Sequence, residues 1–463
     1  MERQPWLLMV AAVVGTCSWF PRAAWSAALG ERKPNIILII TDDQRWDALG
    51  CMGNPIVHTP NIDRLAARGA VFTNMFCTTS ICATSRASFL TGQYARRHGI
   101  HDFRTPLRPE QFARTFPVVL RKMGYRTGMV GKWGLGGRLP KDAYDEFYGF
   151  SGQGRYFPKG KKGQPGEHLT EKLAANVMKF LDGCSPDQPF LLQYSTKAAH
   201  CQDGDPWPFQ PDPRYNHLFT NVTIPLPRTA TDMHFRALPE FLQKSEGRAR
   251  WKTRFATPEM FQKSVKDYYR LIAGIDDVVG RIMTKLEEKG VADNTVILYT
   301  SDNGFFLGEH GLAGKWFMFE ESIRLPLVIF DPRLPANRRG VRIPQMALNI
   351  DIAPTIFDLA GAPIPDDVQG KSLQPLLRGE PVSWRTEFFY EHLFKHPRIP
   401  PTEGVRTERW KYTRYISIDP VYEDLFDLER DPFEEDNLAS DSRYADKLNE
   451  MRSKWKSWRE KVR

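Results

Sequence analysis

Residues 34–44 read P-N-I-I-L-I-I-T-D-D-Q, an apolar run that is followed at once by a threonine and two aspartates. The run has the length and β-branched content of a buried parallel strand, which helices cover on both faces. Similar runs lie at 126–130, 190–194 and 295–300, and 327–330 is a candidate fifth. The sequence therefore predicts several buried parallel strands, with 35–40 as the first.

Helical patterns separate these runs, at 59–68, 117–123, 170–181 and 258–289. Strands that alternate with helices predict an α/β domain with a central, mainly parallel sheet between helices. After about residue 380 the character changes to short strand candidates and a basic helix, at 388–391, 404–407, 410–415, 423–427 and 444–462. We therefore predict a main domain at 33–380 and a C-terminal subdomain at 381–463, made of a small antiparallel sheet and a helix.

The N-terminus has the pattern of a signal peptide, which we place at 1–28. Arg3 precedes a mostly apolar stretch at 6–20, and small residues at 26–28 suit cleavage. The stretch is too short for a stable membrane span, and no second apolar run of sufficient length follows. The sequence thus predicts an exported protein, periplasmic or extracellular.

Charge and cysteine content narrow the function. The 463 residues carry a net charge of +9, but no nucleic-acid-binding module is visible, so an anionic small or polymeric substrate is favoured over nucleic acid. A basic surface that serves only solubility is the alternative. Beyond the predicted signal peptide the number of cysteines is odd: Cys51, Cys77, Cys82, Cys184 and Cys201. In an oxidising compartment this leaves one thiol for a purpose other than a disulfide.

Polar residues follow four of the predicted strands, at the point where each strand ends. They are Asp42-Asp43, Lys132, His200 and Asp302-Asn303. Because the carboxyl ends of parallel strands share one edge of the sheet, where ligands bind, the sequence predicts a single site there.

The acids and the amide of this group predict a metal site. Asp42, Asp43, Asp302 and Asn303 all offer oxygen ligands. Each pair alone is typical of a helix cap or a turn. Together, the carboxylates would repel one another strongly unless a cation were bound. Oxygen ligation selects Ca²⁺ or Mg²⁺ over Zn²⁺.

Cys82 begins the segment C-A-T-S-R-A-S-F-L-T-G at 82–92, whose later residues can start a helix. This segment resembles the signature of type I sulfatases, which belong to the alkaline-phosphatase superfamily. The resemblance extends from residue 33 to about 438. It includes 34–44 and T-P-N-I-D-R-L-A at 59–66, and the further segments G-K-W-G-L-G at 131–136, S-D-N-G-F-F-L-G-E-H-G-L at 301–312, G-K-W at 314–316 and L-F-D-L-E-R-D-P-F-E-E-D-N-L at 425–438.

The resemblance implies an alkaline-phosphatase-like fold and hydrolysis of a sulfate ester, expected on a sulfated carbohydrate. Cys82 would be oxidised to formylglycine by a formylglycine-generating or equivalent maturation enzyme. The metal would be Ca²⁺ rather than Mg²⁺, held by the acids and amide above together with the converted Cys82. Arg86 would orient the formylglycine.

The remaining roles also follow from the resemblance. Lys132 and Lys315 would hold the sulfate oxygens, and His200 would bind substrate and protonate the leaving oxygen. His310 would either touch the substrate or brace its loop.

The sequence departs from the family pattern at two positions. Thr84 stands where the signature has proline or alanine, which bears on maturation, and Gly134 stands where the family has histidine. Two other functions are kept as alternatives. One is a phosphoester or phosphonate hydrolase of the same superfamily with unmodified Cys82, and the other is a non-catalytic binding protein for sulfated glycans.

Overall fold

The run at 35–40 forms a central strand of the largest sheet. The computed structural model describes residues 32–164 and 166–463, so the predicted signal peptide lies outside the described residues. Within them the sheet has eight strands: β1 (Asn35–Thr41), β2 (Ala70–Phe72), β3 (Arg126–Lys132), β4 (Glu146–Phe150), β5 (Phe190–Ser195), β6 (Thr295–Ser301), β7 (Leu327–Phe330) and β8 (Val341–Ile343). Their order across the sheet is β8-β2-β7-β6-β1-β5-β3-β4.

The strands around β1 are parallel, as predicted. β1 pairs in parallel with β5 and β6, and β3 pairs in parallel with β4 and β5. Every residue of β1 is buried. Alternate side chains enter opposite cores: Ile36 and Leu38 pack in one apolar cluster, Ile37 and Ile39 in the other. The apolar run is continuous because both faces of the sheet are covered.

One strand runs in the other direction. Residues 327–330 form β7, as predicted, but β7 is antiparallel to β6, so its expected parallel orientation is wrong. The chain between β6 and β7 stays at the edge where β6 ends, so β7 starts from that same edge. The sequence analysis did not predict strands β2, β4 and β8. They lack a long apolar run, since β4 is only half-buried and β2 and β8 have three residues each.

The predicted helices are present, with ends that differ by one residue. The helices of seven or more residues are α1 (Pro60–Arg68), α2 (Cys82–Thr91), α3 (Phe116–Lys122), α4 (Leu169–Asp182), α5 (Glu246–Arg254), α6 (Pro258–Glu288), α7 (Ile352–Leu359) and α8 (Ala445–Lys461). Proline stands in the first turn of α1 and α6, where its missing N–H costs nothing. The Thr257 side chain caps α6 by accepting from the Met260 N–H at 3.2 Å.

The described chain also contains shorter elements. Helices of four to six residues lie at Ala95–His98, Pro109–Phe112, Asp232–Ala237, Glu240–Gln243, Glu320–Ile323 and Gln374–Arg378. Two-residue strands lie at Met75–Phe76, Phe306–Leu307, Ala313–Gly314, Arg324–Leu325 and Ala347–Leu348.

The C-terminal residues form the predicted antiparallel sheet and helix. The strands β9 (Glu387–His392), β10 (Thr402–Thr407), β11 (Trp410–Tyr415) and β12 (Tyr422–Asp427) pair in chain order. Helix α8 packs against them, and the Trp455 indole N–H donates to Glu403 Oε2 at 2.9 Å. Residues 34–463 form one compact unit, and the boundary at 380 stays a prediction. No helix among the described residues combines the length and apolarity needed to cross a bilayer.

Gly131, next to Lys132 in β3, tests the packing of the sheet. It has a φ of +103°, and a Cβ there would lie 2.0 Å from the carbonyl oxygen of Ser195 in β5. Gly124 has a similar φ of +91° but nothing within 4 Å of its Cβ position. We expect Gly124→Ala to lower the free energy of unfolding by about 1 kcal/mol, the strain of the left-handed backbone alone. Gly131→Ala should cost about 3 kcal/mol or more, since it adds a steric clash.

Urea unfolding of both variants measures the difference. Equal losses of stability in the two variants would show that β3 and β5 do not pack as closely as described.

Candidate active site

Cys82 is the first residue of α2, a helix that is buried along its whole length. Its Sγ lies 3.3 Å from Oδ1 of Asp42 and 3.2 Å from Nζ of Lys315. Burial and the Asp42 carboxylate together raise the pKa of the Cys82 thiol, although Lys132 and Lys315 oppose them. All five cysteines of the described chain are free, so none is held in a disulfide.

The predicted acids meet beside Cys82. In the parallel register Thr41 lies opposite Ser301, which places Asp42 and Asp302 next to each other at the strand ends. The Asp43 N–H donates to Asp302 Oδ1 at 3.2 Å. A φ of +60° at Asp43 turns the chain so that two consecutive aspartates reach the same site.

Three buried cations lie against these three buried acids. Nζ of Lys132 contacts Asp42, and Nζ of Lys315 contacts Asp43. Nε of Arg86 donates to Asp302 Oδ2 at 2.9 Å. The close pairing offsets the free-energy cost of removing these charges from water. The acids without the cations, or the cations without the acids, would be strongly destabilising when buried.

The charges shift the pKa values of the acids in opposite directions. Burial by itself would raise the pKa of Asp42, but the positive charges of Lys132, Arg86 and Lys315 outweigh burial and lower it. For Asp302, burial and the neighbouring Asp42 carboxylate prevail and raise the pKa to about 6.

His200 also lies at this site. Its Nε2 is 3.5 Å from Asp43 Oδ2, and its Nδ1 is 2.6 Å from the carbonyl oxygen of Cys201. Burial lowers the pKa of the imidazole to about 4, against the opposing charges of Asp43 and Asp42. One potential ligand atom from each of Asp42, Asp43, Cys82 and His200 lies within 4.8 Å of the others.

The donor set fits a hard cation. Asn303 is fully buried and its Nδ2 donates to Asp43 Oδ1 at 2.6 Å. Its Oδ1 has no hydrogen-bond partner among the described residues. An unpaired buried oxygen beside three carboxylates is what an oxygen-seeking ion such as Ca²⁺ would satisfy.

His310 lies apart from this cluster. Its Nε2 is 3.1 Å from the carbonyl oxygen of Phe433. Its backbone N–H donates to the backbone carbonyl of Thr229 at 3.0 Å. Its ring centroid is 4.8 Å from that of Phe319. These contacts brace the loop after β6, and a substrate contact of His310 stays a prediction.

The sequence analysis missed residues that support the cluster. Gln153 Oε1 accepts from Lys132 Nζ at 2.6 Å, and Ser195 Oγ accepts from Arg86 Nη1. Ser195 is the last residue of β5, so the same strand-end argument that identified His200 could have found it. Gln153 lies in an irregular loop, and no sequence signal marks it.

The space at Gly134 is taken by Arg86. Gly134 has a φ of +80°, and a Cβ there would lie 2.5 Å from Cδ of Arg86. Any side chain at position 134 would therefore require Arg86 to move. Thr84, the other departure from the family pattern, is 1% exposed within α2.

Comparison with known proteins identifies the family of this chain. The family model of the sulfatases matches residues 34–362, and the model described as "N-sulphoglucosamine sulphohydrolase, C-terminal" matches 308–461. The chain belongs to the sulfatase family, in the alkaline-phosphatase superfamily. The named sulfatase relatives and the matching family model identify it as a sulfuric ester hydrolase. They therefore favour an enzyme over a non-catalytic binding protein.

Among curated relatives, the N-acetylglucosamine-6-O-sulfatase of Bacteroides thetaiotaomicron is 30% identical, over 91% of this chain and 85% of that protein. The human N-acetylglucosamine-6-sulfatase is also 30% identical, over 84% of this chain and 71% of its own.

Among solved structures, one of a protein in complex with its substrate D-glucosamine-2-N,6-O-disulfate is similar to this chain. It has a TM-score of 0.82 and 28% identity, and the match covers 93% of this chain and 98% of that one. The phosphonate monoester hydrolase of Agrobacterium radiobacter has a TM-score of 0.75 and 25% identity, with coverage of 93% and 96%.

Proposed function

We propose that this enzyme releases sulfate from a sulfated carbohydrate, with a formylglycine made from Cys82 and a bound Ca²⁺. The observation that carries the proposal is the placement of Cys82 at the start of α2, between the Asp42 carboxylate and the Lys315 ammonium. The acids, the cations and His200 all converge on this one side chain.

Formylglycine would supply a hydrated aldehyde with two hydroxyls on one carbon, one to attack sulfur and one to expel sulfate afterwards. Cys82 and Thr84 are at most 1% exposed in the fold. A maturation enzyme must therefore reach this segment before it is buried.

The charged side chains have distinct roles in the proposal. Lys132 and Lys315 bind the sulfate oxygens, where negative charge persists through the transition state. Arg86, held by Asp302 and Ser195, orients residue 82. His200 gives a proton to the leaving oxygen. An anionic ester beside His200 adds negative charge and so favours the protonated imidazole.

The metal would be held by Asp42, Asp43, Asp302, Asn303 and the converted residue 82. Bound there, a divalent ion would supply positive charge that makes the nucleophile more acidic and offsets charge on the sulfate group. We favour Ca²⁺ over Mg²⁺ because the set offers several carboxylate oxygens from two strand ends, and Ca²⁺ takes more oxygen ligands than Mg²⁺.

The sulfated sugar is proposed from the relatives. Two of them are named for sulfate at the 6-position of N-acetylglucosamine, and the structure with D-glucosamine-2-N,6-O-disulfate belongs to the same class of substrate. A net charge of +9 suits an anionic substrate. We further propose export through the signal peptide at 1–28, and catalysis by residues 33–380 with 381–463 as a C-terminal subdomain.

Mass spectrometry tests the conversion of Cys82. The peptide that contains residue 82 is expected to be about 18 Da lighter than the cysteine form and to react with an aldehyde probe, since an aldehyde replaces the thiol. Cys184 is a matched control, because it is also buried and free but lies outside the site. An unmodified Cys82 from a host that matures sulfatases would contradict the proposal.

Sulfate release tests the reaction. The wild type should free sulfate from N-acetylglucosamine 6-sulfate, and Cys82→Ala should lower the rate by at least about 1,000-fold because the nucleophile is absent. Cys184→Ala should keep the activity.

A phosphonate monoester, measured in parallel, tests the second candidate, which the similarity to a phosphonate monoester hydrolase favours. Faster hydrolysis of the phosphonate than of any sulfate ester would replace sulfate release as the main activity.

Calcium removal tests the metal. A chelator should lower the melting temperature and abolish activity, and added Ca²⁺ should restore both better than Mg²⁺. Ligand at 100 times its Kd adds about 2.7 kcal/mol to the stability of the fold.

Asn303→Ala should remove the response of the melting temperature to Ca²⁺, because it deletes a ligand. The exposed Asn449→Ala should leave that response unchanged. A wild type whose melting temperature ignores both chelator and Ca²⁺ would contradict the metal site.

A further inference from the structure

Lys197 is a buried lysine beside the site to which the reaction above gives no role. It is 1% exposed. Its Nζ donates to the carbonyl oxygen of Cys201 at 3.3 Å and lies 4.9 Å from the centre of the Tyr156 ring. Within the described chain, no carboxylate lies within ion-pair distance of it. A buried ammonium without an anionic partner costs several kcal/mol, so a lysine at this position calls for a function.

Lys197 shares its carbonyl partner with His200. The Nδ1 of His200 is 2.6 Å from the same oxygen of Cys201. A carbonyl can only accept, so Nδ1 carries a proton and the exchangeable proton of the imidazolium is the one on Nε2. Nε2 is the atom on the side of Asp43, within the cluster around Cys82.

Tyr156 joins Lys197 and His200 from the other side. Its hydroxyl donates to the carbonyl oxygen of His200 at 2.6 Å, while its ring faces the ammonium of Lys197. The backbone N–H of His200 donates to the backbone carbonyl of Lys197 at 2.9 Å, which closes the turn between the two residues. The ammonium, the tyrosine and the turn together leave the His200 ring little freedom to rotate.

We propose that Lys197 is a positioning residue for the proton donor. By holding the Cys201 carbonyl, it keeps the His200 ring oriented with Nε2 toward the leaving oxygen. The inference rests on the proposed function. In this step a hydroxyl of the formylglycine proposed at residue 82 would form a bond to sulfur while the sulfur–oxygen bond of the ester breaks. The electron pair of the broken bond passes to the leaving oxygen, which takes the proton from Nε2. The neutral imidazole keeps its other proton on Nδ1, which donates it in the hydrogen bond to the Cys201 carbonyl.

The dependence of rate on the leaving group tests this role. Phenolate is a much poorer leaving group than 4-nitrophenolate and needs the proton more. We expect Lys197→Met to lower kcat for phenyl sulfate by roughly tenfold or more, with KM within about threefold, since loss of an oriented proton donor acts on the transition state. For 4-nitrophenyl sulfate the loss should stay below about threefold.

Three variants make the result specific. His200→Ala should show the same preference more strongly, and Lys197→Met should add nothing in that background, because the two act through one group. Tyr156→Phe keeps the ring and deletes only the hydroxyl on the His200 carbonyl, so it tests the same geometry without removing the buried charge. Lys263→Met is the matched control. Lys263 is also a lysine over an aromatic ring, 4.3 Å from the centre of Trp207, but its side chain is 45% exposed.

If Lys197→Met and Tyr156→Phe each lower kcat equally for both aryl sulfates, the proposal is overturned. A general loss of folded enzyme would produce that result. An additive loss in the His200→Ala background would also overturn it. Formylglycine content and sulfate release by the wild type are measured in the same samples. A wild type that carries formylglycine but releases sulfate neither from the two aryl sulfates nor from N-acetylglucosamine 6-sulfate would contradict the proposed function, and the role of Lys197 would be contradicted with it.

Discussion

The balance between three buried acids and three buried cations is the constraint on which the rest of the structure depends. Each acid lies at a strand end, and each cation comes from a different segment of the chain. The pairs are Asp42 with Lys132, Asp43 with Lys315, and Asp302 with Arg86. Loss of one partner would leave a charge buried and unpaired, which costs more than the pair gains. The fold must therefore bring all these segments to one point.

The central sheet meets this requirement through its register. β1 lies between β5 and β6, so the residues that follow these three strands are neighbours in space. The apolar side chains of β1 divide between two cores, which hold the strand from both sides. Packing thus supplies the rigidity, and the strand ends supply the chemistry. This separation suits a site in which a small displacement of one charged group would disturb several others.

The surroundings of Arg86 show how this chain accommodates a departure from its family. Gly134 stands where the resemblance to the family leads us to expect a histidine, and the stem of Arg86 occupies the space next to that glycine. Arg86 then reaches Asp302, Ser195 and the Lys132 carbonyl. The Arg86 side chain packs directly against the backbone of Gly134, so the absence of a side chain there leaves no cavity next to the glycine.

The sequence by itself determined the class of fold, the run of β1 and most of the site. Apolar runs of strand length can be seen in a sequence, and the rule that parallel strands share one edge carried Asp42, Lys132, His200 and Asp302 to one place. It could not determine the direction of β7, which depends on how the segment after β6 returns to the sheet. Only the tertiary structure brought Gln153 to Lys132 and placed Lys197 against the Cys201 carbonyl. These contacts join segments that share no sequence motif. Tertiary packing brings such segments together, whereas the pattern of residues within one segment predicts only the secondary structure of that segment.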